Sequence, residues 1–371
     1  MEGFKMRIGI PKEIKVKENR VSCTPNGVRL LVQSSHEVLV EAGAGQGSGF
    51  PDKQYEQAGG VIVPGAADAW AADMVIKVKE PIESEYNYFR KNLLLFTYLH
   101  LAADRPLTEA LCSSGVTGVA YETVQVGNRL PLLEPMSEIA GRMGTLMGCY
   151  YLAKPYGGKG TLLGGIPGVP VGNVLVIGGG SAGLNAARVA AGIGADVTLL
   201  EVDIEKMHFI DISTHGSIRT IYSDETALLE KLPQVDLLIG AVLIPGAKAP
   251  KLIKREFLKR MKPGSVFVDI AIDQGGCAET SRATTHDDPV YFEEDILHYC
   301  VANMPGAYAR TSTQALTNST LPYAVKLANL GFEEAVRQVS ELHPGVNTFD
   351  GAVTCKPVAE AHGMEYRELQ V

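Results

Sequence analysis

Residues 178–183 read Gly-Gly-Gly-Ser-Ala-Gly, which sets Gly178, Gly180 and Gly183 in the spacing G-x-G-x-x-G. Glycines so spaced suit one task. The first allows a tight turn, the second lets backbone N–H groups approach a pyrophosphate, and the third lets a following helix pack closely on the preceding strand. Ser181 and Ala182 would open that helix, with its N-terminal N–H groups turned toward phosphate charge. The context agrees. The apolar run 174–177 leads directly into the motif, and an alanine-rich stretch over 182–193 follows it. A second strand candidate ends at Glu201, 18 residues past Gly183. A carboxylate there would accept hydrogen bonds from the adenosine ribose and repel a 2′-phosphate, so NAD is expected over NADP. A glycine-rich turn in an unrelated protein would lack strand, helix and acid in this register.

Ligands of open α/β sheets sit beyond the carboxyl ends of strands. Four residues fall at such places: Lys79 after the run 74–78, His100 after 93–99, Asp273 past 265–270, and Asn303 past 297–301. A lysine can polarise a carbonyl oxygen, and an imidazole or carboxylate can move protons near neutral pH. Two of these residues precede the glycine motif and two follow it, so they are expected to converge on a cleft between domains. Each has a plainer alternative. Lys79 and Arg20 could be surface cations, His100 could bond to backbone, and Asp273 could cap a turn, leaving Asp269 as the functional acid. Lys77 is the decoy, because strand alternation points it away from the face used by Lys79.

These side chains need a scaffold. Strand candidates at 6–10, 37–41, 74–78, 93–99 and 118–121 alternate with helical stretches, one of them opened by Thr24 as N-cap and Pro25 in the first helical position. A second series runs 174–177, 196–200, 218–222, 235–240, 265–270 and 297–301. Alternation implies parallel sheets, and six strands is the count of a complete Rossmann domain. Beyond 311 the chain reads as helical to about 330, and the short remaining tail is expected to pack back on the first domain. The expected fold is α/β with two Rossmann-like domains. An NAD-binding doubly wound domain at 132–309 would be inserted into a discontinuous substrate domain made of 1–131 and 310–371.

Composition bounds the rest. At 371 residues, with 46% hydrophobic and 20% charged, the chain is globular and long enough for two cores. Its net charge of −8 argues against nucleic acid or an anionic membrane as partner, so a small anionic substrate needs a local basic site. The stretch 160–187 carries no charge, but Pro167 and Pro170 prevent one continuous membrane helix. Six scattered cysteines without a C-x-x-C pair make neither a disulfide framework nor a zinc site. No metal site is expected. The first residues lack a signal-like apolar run, and a cytosolic location is expected.

The motifs also carry a family likeness. Ile8-Gly9-Ile10-Pro11-Lys12-Glu13 with Arg20-Val21 resembles the opening of the superfamily of alanine dehydrogenases and transhydrogenase α-subunits. Lys77-Val78-Lys79-Glu80-Pro81, Thr97-Tyr98-Leu99-His100-Leu101-Ala102, Ala120-Tyr121-Glu122-Thr123, Pro135-Met136-Ser137-Glu138, the stretches 240–250 and 268–276, Asn303-Met304-Pro305 and Ala315-Leu316-Thr317-Asn318 are similar to alanine dehydrogenase. The likeness spans nearly the whole chain. It implies NAD-dependent, reversible oxidative deamination of L-alanine to pyruvate and ammonium by a cytoplasmic homohexamer. It further implies that Arg20 and Lys79 hold the substrate carboxylate and carbonyl oxygen, and that His100 and Asp273 form the acid–base pair. Ser137, Glu201, Lys206, Ser223, Val242, Leu243, Ile270, Asp273, Arg282, Val301, Asn303 and Met304 would line the cofactor. Glu201 stands where the family usually has aspartate.

Those residue types fit the chemistry. An arginine can grip a carboxylate in bidentate fashion and fix Cα for hydride transfer, and an imidazole can shuttle protons as water adds and ammonia leaves. Asp273 could orient His100 or the water, or transfer protons itself. Two other readings are a transhydrogenase α-type subunit, which would not need Lys79 and His100, and a non-catalytic NAD sensor, which would need none of Arg20, Lys79, His100 and Asp273.

Overall fold

In a computed structural model of the chain, residues 5–242 and 249–371 are described. The chain runs through β1 (Arg7–Ile10), β2 (Glu37–Glu41), β3 (Val61–Val63), β4 (Met74–Ile76), β5 (Leu94–Thr97) and β6 (Thr117–Ala120). It continues through β7 (Asn173–Ile177), β8 (Asp196–Glu201), β9 (Arg219–Tyr222), β10 (Leu237–Gly240), β11 (Val266–Asp269), β12 (Val290–Glu293) and β13 (Ile296–Tyr299), then closes with β14 (Val346–Phe349) and β15 (Ala352–Val353). Two compact units result. One joins Met1–Met136 to Tyr308–Val371, and the other is Ser137–Ala307.

In the second unit the order is β12-β13-β11-β10-β7-β8-β9, parallel except for the edge strand β12. Without β12 this is the doubly wound order, reversing between β7 and β10. Alternate residues serve two faces. Val174 and Val176 belong to one core with Ala186, Ala190 and Met143, while Leu175 and Ile177 belong to another with Leu228 and Phe257. A sheet buried on both faces needs unbroken apolar strands, which is why β7, β10 and β11 read as such runs in the sequence.

The first unit repeats the scheme. Its order is β15-β14-β6-β5-β4-β1-β2-β3, with the reversal between β1 and β4 and with β14 and β15 antiparallel. The tail joins the sheet edge by pairing β14 with β6. The helix Pro25–Gln33 starts as its sequence implies, with Thr24 Oγ1 accepting from Gly27 N at 3.2 Å. The helix Ala309–Leu330 begins slightly ahead of the expected 311. Among the described residues, no helix is long and apolar enough to cross a membrane.

Two strands stop earlier than their apolar runs suggest. β4 ends at Ile76 because, beyond Lys77, Val78 N donates to the carboxylate of Glu13 (2.6 Å) instead of to a neighbouring strand. β5 ends at Thr97, and Leu99 N and His100 N turn to the carboxylate of Glu122. At both sites an acid, buried Glu13 or half-buried Glu122, replaces the ladder partner and peels the chain into a loop.

Candidate active site

In the second unit the glycine turn has the geometry a pyrophosphate site requires. Gly178 sits at φ +99°, in the left-handed region that excludes most side chains. A Cβ on Gly183 would lie 1.8 Å from the carbonyl oxygen of Gly178, so only glycine lets helix and turn meet. A Cβ on Gly180 would meet nothing within 4 Å. Gly180 is also the N-cap of the helix Ser181–Gly192 and makes no side-chain cap bond, so half-buried Ser181 and Ala182 lie in a first turn whose N–H groups face that open space.

Glu201 ends β8 and is buried. Its Oε2 accepts from Gly179 N (2.8 Å), and its Oε1 accepts from Val202 N (2.7 Å) and Asp203 N (3.0 Å). The carboxylate is thereby locked against the glycine turn, with one lone pair on Oε2 left for a ribose hydroxyl. These features fit a dinucleotide. Other expected lining residues lie on the same unit. Ser223 N donates to Glu201 O at 2.9 Å, and Lys206 lies in the first turn of the helix Ile204–Thr214 with its ammonium 3.9 Å from the Asp203 carboxylate. The Arg282 guanidinium lies 3.9 Å over the Tyr291 ring. Ser137, Val242 and Ile270 are half-buried, and Val301 and Met304 are buried. Leu243 lies outside the described residues.

Asp273 is exposed on the turn Ile270–Gln274 and accepts from Asn303 N at 3.1 Å, which ties together the loops after β11 and β13. Asp269, the alternative acid, is fully buried. It accepts from Ala271 N (3.0 Å), Cys277 N (2.9 Å) and the Ser281 hydroxyl, and burial pushes its carboxyl up. It is a structural knot, with no room for substrate.

In the first unit, charged residues crowd the carboxyl ends of β1, β4 and β5. Lys77 is buried and pairs with Glu13 (3.2 Å) and Glu85 (2.8 Å). Glu85 also accepts from Ile82 N (3.0 Å), so this buried trio clamps both ends of the loop bearing Lys79 and Glu80. Lys79 is half-buried, and Glu80 is ion-paired to Lys15. Burial alone would push the Glu80 carboxyl up, but the charges of His100, Lys79 and Lys15 outweigh it and hold the group below the usual range. Lys79 and His100 are therefore neighbours of one carboxylate.

Arg20 is only 2% exposed, which removes the surface reading. Glu18 engages its Nε (2.7 Å) and Nη2 (2.5 Å), and Nη1 points to Met136 Sδ at 3.2 Å. Tyr98 links this arginine to the histidine. Its ring stacks on His100 at 5.7 Å, and its phenol lies within the fields of Arg20 and Glu122. The structure thus gathers Arg20, Lys79 and His100 in one unit, and Asp273 with Asn303 in the other. Sequence reasoning missed the five acids that arrange them: Glu13, Glu18, Glu80, Glu85 and Glu122. The available signal was an acid directly after a strand-like run, as in Pro11-Lys12-Glu13 and Ala120-Tyr121-Glu122.

Comparison with known proteins bears on this arrangement. Residues 9–140 match the family model described as alanine dehydrogenase/PNT, N-terminal domain, and residues 144–356 match its C-terminal domain. The chain belongs to the alanine dehydrogenase/PNT family. Within this family it is 56% identical over 367 residues to alanine dehydrogenase 2 of Staphylococcus aureus (strain USA300), covering 98% of this chain and 99% of that protein. Its structure resembles a solved L-alanine dehydrogenase with a TM-score of 0.93 at 47% identity, over 96% of this chain and 99% of that one. A transhydrogenase from Sinorhizobium meliloti aligns with a TM-score of 0.80 at 26% identity, over 94% and 99%. Family membership carries the two-domain α/β architecture and the character of an oxidoreductase.

Proposed function

We propose that this chain is an NAD-dependent L-alanine dehydrogenase. L-Alanine, NAD⁺ and water give pyruvate, ammonium, NADH and a proton, reversibly. One observation carries the reading: Arg20, Lys79 and His100 gather around Tyr98 and Glu80 at the switch point of the first sheet, in a chain 56% identical to an alanine dehydrogenase.

Arg20 receives the substrate carboxylate, its guanidinium oriented by Glu18 on the Nε–Nη2 edge. Lys79 polarises the carbonyl oxygen of pyruvate in the aminating direction. His100 and Asp273 move the protons that accompany addition of water and departure of ammonia. When bound, NAD supplies the acceptor for the hydride leaving Cα. Gly178, Gly180 and Gly183 with the helix that follows hold its pyrophosphate, and Glu201 holds the adenosine ribose and disfavours a 2′-phosphate. Six free cysteines suit a cytosolic setting, and assembly as a homohexamer belongs to the same reading. Light scattering should then give about six times the 39.7 kDa chain mass.

The deciding test is a panel of amino acids with NAD and with NADP, followed by absorbance of the reduced nicotinamide. Turnover of L-alanine with NAD is expected. No activity on any amino acid, despite NAD binding, would reject the enzyme; equal rates with NADP would reject the role of Glu201.

A further inference from the structure

His100 has a left-handed backbone, φ +49°, a conformation that crowds the Cβ of any residue but glycine. Something must hold it there. Its own N–H donates to Glu122 Oε1 at 2.6 Å, and the preceding N–H of Leu99 reaches both oxygens of the same carboxylate at 3.1 and 3.2 Å. Consecutive N–H groups converging on one anion form the concave arrangement that favours negative charge. The imidazole faces the same acid, with Nδ1 3.9 Å from Glu122 Oε1, beyond direct hydrogen-bond distance. Tyr98 covers one face of the ring at an interplanar angle of 7°, and its own hydroxyl is anchored on Leu132 O at 2.6 Å. The Glu122 side chain is 15% exposed and that of His100 39%, so the acid lies inside and the ring faces out. Glu80 is another acid in the field of the ring, and it is already paired with Lys15.

We propose that Glu122 positions His100 for proton transfer, its carboxylate holding the left-handed turn and facing Nδ1 so that Nε2 is presented to the substrate. This rests on the reading that His100 moves protons. Glu122 touches neither substrate nor cofactor in this scheme. It acts through the ring, as an acid facing one imidazole nitrogen sets tautomer and orientation.

Three variants test it in L-alanine oxidation. Glu122→Gln keeps an acceptor for the backbone N–H groups but removes the charge. It should lower kcat by about tenfold to a hundredfold, leave KM for L-alanine and the affinity for NADH within about twofold, and raise the solvent deuterium isotope effect on kcat as proton transfer becomes slower. Glu122→Asp, which restores the charge, should recover most of the rate. A Glu122→Gln enzyme with wild-type kcat and isotope effect overturns the proposal, as does a Glu122→Asp enzyme no better than the amide. His100→Ala separates the two claims. If it is inactive while Glu122→Gln is normal, only the positioning role falls; if it retains full turnover, the reading of His100 itself falls.

Discussion

In the proposed reaction Lys79 and His100 act on a small anion, so neither can be captured by a neighbouring acid. Glu80 manages this balance for Lys79 and His100. It is buried enough to be raised, yet the surrounding cations hold it ionised, and Lys15 takes the direct ion pair. Lys79 makes no side-chain ion pair or hydrogen bond among the described residues, which leaves its ammonium for a carbonyl oxygen. Lys79→Gln should therefore lower kcat/KM for reductive amination of pyruvate by about a hundredfold, or about 2.7 kcal/mol, with NADH binding unchanged. Steady-state rates beside NADH fluorescence titration check this. An equal loss in NADH affinity would place the lysine elsewhere in the reaction.

Elements set these residues where they are through a few tolerances. The turn after β7 accepts no side chain at Gly183 but has open space at Gly180, so two alanine substitutions should behave differently. Gly183→Ala should break the strand–turn–helix contact and lower both the melting temperature and cofactor binding. Gly180→Ala should melt as the parent does and lose NAD affinity alone, since the methyl would occupy the space a pyrophosphate needs. Equal melting losses in both would contradict the assignment. The loop after β4 depends on a buried trio instead. Lys77→Met leaves Glu13 and Glu85 facing each other without their cation, and should cost about 3–5 kcal/mol in denaturant unfolding. A loss below about 1 kcal/mol would mean that water or rearrangement replaces the lysine.

At the scale of the whole molecule, stability should change with pH through a buried group outside the proposed acid–base pair. His298 is fully buried on β13, its Nδ1 donating to Ile296 O and its Nε2 bonded to the Thr280 hydroxyl, both at 2.9 Å. Burial, ahead of the neighbouring charges, lowers its affinity for protons from the ordinary value of 6.5. The unfolded chain thus takes up a proton before the folded one does. Stability is full above about pH 6.5 and declines as pH falls from there toward the lowered folded value. Melting temperatures across that range should fall more steeply for the parent than for His298→Gln. Parallel curves would show that the histidine does not contribute.

Much of this architecture was legible in order along the chain. Strands buried on both faces must be apolar runs, and a dinucleotide turn must carry glycine where backbone meets backbone, so β7, its turn, the next helix and the acid at 201 announce themselves locally. Lys79, His100 and Asp273 stood out as candidates because strand ends are where such sheets bind ligands, and their roles belong to the proposed function. β14 was not read, although Asp350-Gly351 turns it locally into β15; its place in the sheet is set by pairing with β6, more than 200 residues earlier. The same holds for Glu13, Glu85 and Glu122. An acid beside a strand end looks like any surface carboxylate until the fold brings to it a buried lysine or two unpaired backbone N–H groups. Local periodicity decides which segments become strands and helices, but the partner of a buried charge is a long-range fact, set only when distant segments meet out of water.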